Sequence, residues 1–113
     1  MTTRTLRAAS TALIATLNAA DADAAVSLFA SDAVIDDPST GHRFDGHAGI
    51  RDYVERYFKD YRTVTRLIAI ENTGDSQGRV RVDFTGDFGH EIGRLDLQTN
   101  AAGLIVRIDA DLE

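Results

Sequence analysis

The sequence of 113 residues contains no cysteine and only one proline, Pro38. Without cysteine there is no disulfide framework, no thiolate nucleophile and no sulfur-ligated metal site. Positive charge is also scarce: 12 Lys and Arg face 18 Asp and Glu, which gives a formal net charge of −6. The arginines are scattered along the chain. Because such a surface repels phosphate backbones and anionic lipid heads, we expect neither nucleic acid nor a membrane as a partner.

Long apolar runs are absent as well, which bears on targeting. Arg4 and Arg7 precede an alanine-rich stretch that imitates a secretory signal, but its longest apolar run covers only residues 12–15. A signal needs roughly 7–15 apolar residues in its centre, and a membrane-spanning helix needs about 20. We therefore expect a cytoplasmic protein. The sequence also has no glycine-rich phosphate loop and no nucleophile elbow, and nothing in it calls for a cofactor.

The first half of the sequence predicts three helices. The first is capped by Thr2 or Thr3 and breaks after Asn18, the second is short and capped by Asp21, and the third starts near His47. Apolar residues recur at helical spacing in each: Leu6, Ala9, Leu13, Ile14 and Leu17 in the first, Val26, Leu28 and Phe29 in the second, and Ile50, Tyr53, Val54, Tyr57, Phe58 and Tyr61 in the third. A strand over Ala33 to Asp36 and a loop over residues 38–46 separate the second helix from the third.

The second half predicts a sheet. A strand over Val64 to Glu71 and a hairpin connection over Asn72 to Gly78 precede three strands that alternate apolar and charged residues. Their apolar members are Val80, Val82 and Phe84, then Leu95 and Leu97, then Leu104, Val106, Ile108 and Ala110. Period-two alternation indicates a curved antiparallel sheet with one face on the core. The other face would carry cross-strand ion pairs that include Asp83, Asp96 and Asp109. We therefore predict one α+β domain over residues 1–113, with helices covering one sheet face.

Three segments give the chain a resemblance to a known family. They are L-N-A-A-D-A-D-A-A-V-S-L-F-A-S-D-A-V-I-D-D-P at residues 17–38, F-D-G-H-A-G-I-R-D-Y at 44–53 and R-L-D-L-Q-T-N-A-A-G-L-I-V-R-I at 94–108. In content and order they resemble the nuclear transport factor two-like superfamily, which includes ketosteroid isomerases and SnoaL-like polyketide cyclases. The resemblance implies a cone-shaped fold, in which three N-terminal helices pack on a curved antiparallel sheet that encloses an apolar pocket. It does not imply one activity, since this fold hosts isomerases, cyclases, dehydratases, epoxide hydrolases and non-catalytic modules.

The comparison with ketosteroid isomerases can be made residue by residue. Those enzymes use an Asp directly before Pro as general base, with a Tyr and a protonated Asp as oxyanion donors. The base position corresponds to Asp37 here. The Tyr position is occupied by Leu13 and the second donor position by Leu95, while Asp96 beside it is predicted to face outward. Since losing one oxyanion donor costs about 10²–10³ in rate, the resemblance does not predict efficient steroid isomerisation.

The candidate catalytic residues are Asp37, Tyr53, Tyr57 and His42. Asp37 either points into the pocket as a general acid or base, or belongs to an ordinary turn in D-P-S-T-G. Tyr53 and Tyr57 lie one helical turn apart and either replace the missing oxyanion donor or pack in the core. His42 is close enough in sequence to reach the pocket mouth, or it is a solvated loop residue. The spacing of the histidines does not predict a metal site.

Two hypotheses for function follow. In the first, the chain is an isomerase- or cyclase-type enzyme that binds an apolar, carbonyl-bearing small molecule and uses Asp37 as general acid or base. In the second, it is a non-catalytic ligand-binding or dimerisation module of the same fold. A second polar group near Asp37 would favour the first. We predict a homodimer by analogy with the superfamily. The predicted ligand-binding residues are those of the apolar inner face: Leu13, Leu17, Val82, Phe84, Leu95 and Leu97.

Overall fold

The computed structural model describes residues 6–113, so the predicted cap at Thr2 or Thr3 lies outside the described residues. Three α-helices and six strands make up the described chain. The helices are α1 (Leu6–Asn18), α2 (Ala22–Val26) and α3 (Gly46–Val54), and a π-helical segment, Glu55–Lys59, continues α3. The strands are β1 (Phe29–Asp37), β2 (His42–Asp45), β3 (Val64–Gly74), β4 (Gln77–Gly86), β5 (Gly89–Thr99) and β6 (Ile105–Leu112), and a 3₁₀ turn, Pro38–Thr40, joins β1 to β2.

The helix boundaries follow local chemistry. The carboxylate of Asp21 accepts a hydrogen bond from the backbone N–H of Ala24 at 3.1 Å, which confirms the predicted cap of α2. At the end of α1, the side-chain amide of Asn18 forms two hydrogen bonds with the backbone of Thr65 in β3. Asn18 Nδ2 donates to the Thr65 carbonyl at 2.9 Å, and the Thr65 N–H donates to Asn18 Oδ1 at 2.6 Å. The pairing attaches α1 to an edge strand of the sheet.

Two predicted boundaries were wrong. The second helix ends at Val26, so Leu28 and Phe29 lie outside it, and Phe29 opens β1 well before the predicted strand start at Ala33. Phe29 pairs with Ile105 of β6, so its strand conformation is fixed by a partner that is distant in sequence. The predicted loop over residues 38–46 also contains a strand, β2, which pairs with the end of β1.

The sheet is mixed, so the predicted all-antiparallel arrangement was wrong. The strand order is β2-β1-β6-β5-β4-β3. Every neighbouring pair is antiparallel except β1 and β6, which run parallel, with Ile35 opposite Ile108. A parallel pair needs a long connection, and here everything between β1 and β6 supplies it. The α+β class, the curvature of the sheet and the three helices agree with the prediction.

Alternation along the central strands was predicted well. Val80 and Val82 of β4 are buried. On the opposite face Arg79 of β4 donates to Asp96 of β5 at 2.9 Å, so the predicted cross-strand ion pairing occurs. The alternation fails at Val106, which is half-buried, because a bulge places one extra residue in β6 and leaves Ile105 as the fully buried residue.

The core lies between the sheet and the three helices. Its largest fully buried apolar side chains come from both layers: Ile50 and Val54 of α3, and Val80, Val82, Leu97 and Ile105 of the sheet. Across residues 6–113, no helix is both long and apolar enough to cross a membrane.

Candidate functional site

Asp37, the last residue of β1, is held in place from two sides. On one side it opens the 3₁₀ turn, because its Oδ1 accepts hydrogen bonds from the backbone N–H of Ser39 at 3.1 Å and from the Ser39 hydroxyl at 2.6 Å. Asp37 is nonetheless buried, with a relative exposure of only 6%. The two sequence interpretations of D-P-S-T-G, a turn and an inward-facing carboxylate, therefore describe the same residue.

Tyr53 holds the carboxylate from the other side. It lies on α3, is buried, and its hydroxyl donates to Oδ2 of Asp37 at 2.8 Å. Burial raises the pKa of Tyr53 well above its ordinary value near 10, and the negative charge and hydrogen bond of Asp37 raise it further. At neutral pH the Tyr53 hydroxyl therefore keeps its proton and donates a hydrogen bond to Asp37.

Three tyrosines continue from Asp37 toward solvent. Their rings follow one another, with centroids 5.5 Å apart from Tyr53 to Tyr57 and 6.0 Å apart from Tyr57 to Tyr61. Tyr53 is buried, Tyr57 is half-buried and Tyr61 is 46% exposed. Tyr57 lies in the π-helical segment and Tyr61 follows that segment. The segment ends with a backbone hydrogen bond of 3.1 Å, which the Asp60 N–H donates to the Glu55 carbonyl. π-Helical turns are rare and recur at functional sites.

A cavity of about 460 Å³ opens beside this row. A volume of this size lies within the range typical of small-molecule sites, about 300–1,000 Å³. Six aromatic rings line it, and the rings of Tyr61 and Phe88, 6.4 Å apart between centroids, are its most exposed aromatic members. The lining residues are Asp37, Ser39, Thr40, Tyr53, Tyr57, Phe58, Tyr61, Thr63, Phe84, Asp87, Phe88, Glu91 and Leu112.

The structure brings together some of the predicted site residues. Asp37, Tyr53, Tyr57 and Phe84 all line the cavity. The side chain of His42 is exposed and lies edge-on to Phe44, with ring centroids 6.3 Å apart, and it is not part of the cavity wall.

The predicted apolar inner-face residues other than Phe84 lie deeper. Leu13, Leu17 and Leu95 surround a second void of only about 10 Å³, and Val82 and Leu97 are fully buried in the core. Side chains of α1 and α3 pack against the sheet around this small void. The open volume lies instead among the end of β1, the π-helical segment and the β4–β5 hairpin, all of which contribute lining residues.

Several lining residues were not singled out from the sequence. Tyr61 continues the spacing of Tyr53 and Tyr57 by four residues, so the helical pattern could have indicated it. Glu91 precedes the alternating stretch of β5, and its ladder with β4 runs without a bulge. No pattern marks Ser39, Asp87 or Leu112, because each reaches the cavity through a turn, a hairpin or a strand end.

Three other basic side chains, none of which lines the cavity, have partners outside it. Arg43 pairs with Asp45 at 2.8 Å and Arg51 pairs with Asp23 in an exposed ion pair of 2.6 Å. The ring of His47 donates from Nε2 to the Phe29 carbonyl at 2.9 Å. Among residues 6–113, no group of three His, Asp or Glu side chains is placed to hold a metal ion.

Solved structures of other proteins share this fold. A crystal structure of a proposed ketosteroid isomerase from Kribbella flavida superposes with a TM-score of 0.81 at 21% identity, over 95% of this chain and 76% of that one. A proposed polyketide cyclase from Sinorhizobium meliloti gives 0.81 at 23% identity, over 90% and 92%. A Mycobacterium tuberculosis protein in complex with estradiol-17β-hemisuccinate gives 0.76 at 18% identity, over 90% and 88%. At these identities the likeness shows the fold alone.

The sequence comparisons are more specific about family. No curated protein matches the chain. The profile of the SnoaL-like domain, however, matches residues 11–108, which is most of the sequence and includes both β1 and the helix that carries Tyr53. The chain therefore belongs to the SnoaL-like domain family.

Proposed function

We propose that the cavity binds an apolar, carbonyl-bearing small molecule and that Asp37 moves a proton on it, as in an isomerase or cyclase. The observation that carries the proposal is the pair formed by Asp37 and Tyr53, with 2.8 Å between Tyr53 Oη and Asp37 Oδ2, at the wall of an aromatic cavity of about 460 Å³. A second polar group beside Asp37 is the feature that separates an enzyme from a simple pocket.

The hydrogen bonds of Asp37 leave it able to act. A carboxylate offers about four lone-pair sites, and Ser39 N–H, Ser39 Oγ–H and Tyr53 O–H use three of them. The remaining site on this cavity-lining side chain would accept a proton from the carbon next to the ligand carbonyl. Returning that proton to another carbon completes an isomerisation, and the carboxylate is regenerated.

The oxygen of such a ligand needs a donor, because the two donor positions of ketosteroid isomerases are Leu13 and Leu95 here. Tyr57 meets this need: it lines the cavity, and within residues 6–113 its hydroxyl has no protein acceptor. We assign Tyr57 to polarise the carbonyl and to stabilise the enolate oxygen. Tyr53 is then a positioning residue, since its hydroxyl is engaged by Asp37. His42 has no assigned role in this scheme.

Binding is tested with testosterone, a rigid steroid that carries a 3-ketone. The chain has no tryptophan, and all three of its tyrosines line the cavity, so its intrinsic fluorescence reports on this site. We expect saturable quenching of that fluorescence. An absence of saturable quenching by testosterone would contradict the proposed ligand class.

Proton transfer is tested separately by following exchange of the protons next to the 3-ketone for deuterium in D₂O by NMR. We expect the protein to accelerate exchange, and Asp37→Asn to lose roughly 10²-fold or more of that acceleration. The matched control is Asp36→Asn, which changes a half-buried neighbour that pairs with Arg107 at 3.5 Å on the other side of β1. Equal exchange in Asp37→Asn and wild type would contradict the role of Asp37.

A non-catalytic binding module is the second candidate. It is favoured by the turn at Pro38–Thr40, because capping that turn already gives the Asp37 carboxylate a structural task. Binding of testosterone without accelerated exchange would select this alternative. The homodimer and the cytoplasmic location stay predictions, and light scattering at micromolar concentration tests the first of them.

A further inference from the structure

The wall of the cavity has a one-sided charge. Among residues 6–113, three carboxylates line it, those of Asp37, Asp87 and Glu91, and no Lys, Arg or His does. Apart from Leu112, the other lining residues are aromatic or carry hydroxyl groups. Such a cavity presents negative charge and the negative faces of aromatic rings to whatever enters it.

Two arginines contact lining residues of the cavity, but neither forms an ion pair with Asp37 or Glu91. Arg62 pairs with Asp87, with its Nη2 3.0 Å and its Nε 3.3 Å from the two carboxylate oxygens, and so neutralises that group at the rim. Arg56 lies over the Tyr57 ring at 5.8 Å from the centroid, and its Nη1 is 3.4 Å from Asp52. Neither arginine is a lining residue.

Asp37 and Glu91 therefore remain as the two carboxylates of the wall without a cationic partner among residues 6–113. The two carboxylates differ in exposure. Asp37 is buried at the end of β1, whereas Glu91 is exposed near the start of β5, next to the rim formed by Tyr61 and Phe88. The deep carboxylate has the proposed chemical task, and the rim carboxylate has none.

We propose that the ligand carries a protonated amine at the end nearest the opening and that Glu91 binds it. This inference rests on the proposed function, because it takes the cavity to be the ligand site and Asp37 to face the carbonyl end. An amine at the rim meets the carboxylate of Glu91 and the faces of Tyr61 and Phe88, both of which favour a cation. A carboxylate at the same place meets a like charge and no cation, so anionic ligands are selected against.

The test uses three ligands with one skeleton: testosterone, its anionic 17β-hemisuccinate and the cationic 17β-amino analogue, 17β-aminoandrost-4-en-3-one. All keep the 3-ketone and differ in charge at the other end. Tyrosine fluorescence gives Kd for each at low ionic strength. We expect the amine to bind about tenfold more tightly than the hemisuccinate, since the two differ by attraction and repulsion at one exposed carboxylate, each roughly up to fivefold. The neutral steroid should lie between them.

Glu91→Gln should reduce the amine-to-hemisuccinate affinity ratio by about threefold or more. The matched control is Glu71→Gln, which removes the same charge from an exposed site on β3 that does not line the cavity. Glu71→Gln should leave the ratio unchanged. Raising the salt concentration should compress the ratio in wild type and in Glu71→Gln, because salt screens exposed charges.

The outcomes separate this inference from the one it rests on. If testosterone and both charged analogues bind equally, or if Glu91→Gln and Glu71→Gln change the ratio alike, the role of Glu91 is overturned while the ligand cavity stands. If the amine binds and testosterone does not, the role of Glu91 is supported and the apolar ketone class fails. If none of the three binds, both proposals are overturned.

Discussion

The hydroxyl of Tyr53 offers the sharpest test of the site. The substitution Tyr53→Phe removes one oxygen and keeps the ring, which packs on Phe44 with centroids 4.9 Å apart and on Phe58 at 5.6 Å. Within residues 6–113, the one hydrogen bond lost is that of 2.8 Å to Oδ2 of Asp37. The variant therefore isolates the contribution of that bond to stability and to the placement of the carboxylate.

The magnitude follows from the surroundings of the bond. A hydrogen bond to a charged group contributes about 1.5–3 kcal/mol to stability. Asp37 lines an open cavity, so water can replace part of the lost interaction, and we expect the lower end of that range. A loss of roughly 1–2 kcal/mol lowers the Tm of a domain of this size by roughly 4–10 °C. The proposed proton transfer should weaken as well, through kcat rather than through KM.

The pH dependence has a definite sign. Because the pKa of Tyr53 is raised in the folded state, its contribution to stability is fully present below the ordinary tyrosine pKa of about 10 and is lost as pH rises above that value. Above pH 10 the wild type should lose stability faster than Tyr53→Phe, by up to about 1.4 kcal/mol per pH unit. Urea unfolding at several pH values measures this, and phenolate absorbance gives the Tyr53 titration by difference.

Tyr61→Phe is the matched control for these measurements. Tyr61 is 46% exposed, and no hydrogen bond of its hydroxyl occurs among residues 6–113. Its loss should change stability by less than about 0.5 kcal/mol. Equal Tm values for Tyr53→Phe and Tyr61→Phe would refute the reasoning, and so would equal slopes above pH 10 for wild type and Tyr53→Phe.

Two further predictions concern the frame of the site. Asn18→Ala removes both hydrogen bonds between α1 and Thr65 and should lower the free energy of unfolding in urea by about 1–3 kcal/mol. Asn18→Asp keeps only the acceptor of these two hydrogen bonds. A loss no larger than about 0.5 kcal/mol for both variants would contradict this role of Asn18. Gly93→Ala places a Cβ against the ring of Phe84, a cavity-lining residue, and should cost about 1–3 kcal/mol and weaken testosterone binding several-fold. Unchanged affinity in a folded Gly93→Ala protein would show that the ring does not shift into the cavity.

The elements predicted correctly are those with a local cause. Asp21 caps α2 through its own side chain, and Val80 and Val82 follow a strict alternation, so neighbouring residues suffice to predict them. The start of β1 has no such local signal. Phe29 becomes a strand residue through its pairing with Ile105, and the bulge at Val106 depends on the register of three strands. Pairings of this kind are not written in any short stretch of sequence.

The candidate site was predictable in its chemistry and less so in its extent. The position before Pro38 singled out Asp37, and helical spacing singled out Tyr53 and Tyr57. The apolar face of the sheet, however, indicates only which side chains point inward. It does not say which of them the helices cover: Leu95, a predicted ligand-binding residue, lies in the core beside Leu13 and Leu17. The placement of the helices on the sheet decides where a cavity remains.

The parallel pairing of β1 with β6 has a consequence for how the protein folds. Asp37 is the last residue of β1, and the neighbour of β1 toward the centre of the sheet is β6, which comes last along the chain. Val34 of β1 lies opposite Arg107 of β6. Contacts between residues so far apart in sequence form slowly, because loop closure costs entropy before the contacts repay it. During synthesis, β1 has no inner partner until residues 105–112 have left the ribosome. The part of the sheet that holds Asp37 should thus be the last to become ordered, after the hairpins of β3, β4 and β5 have already formed.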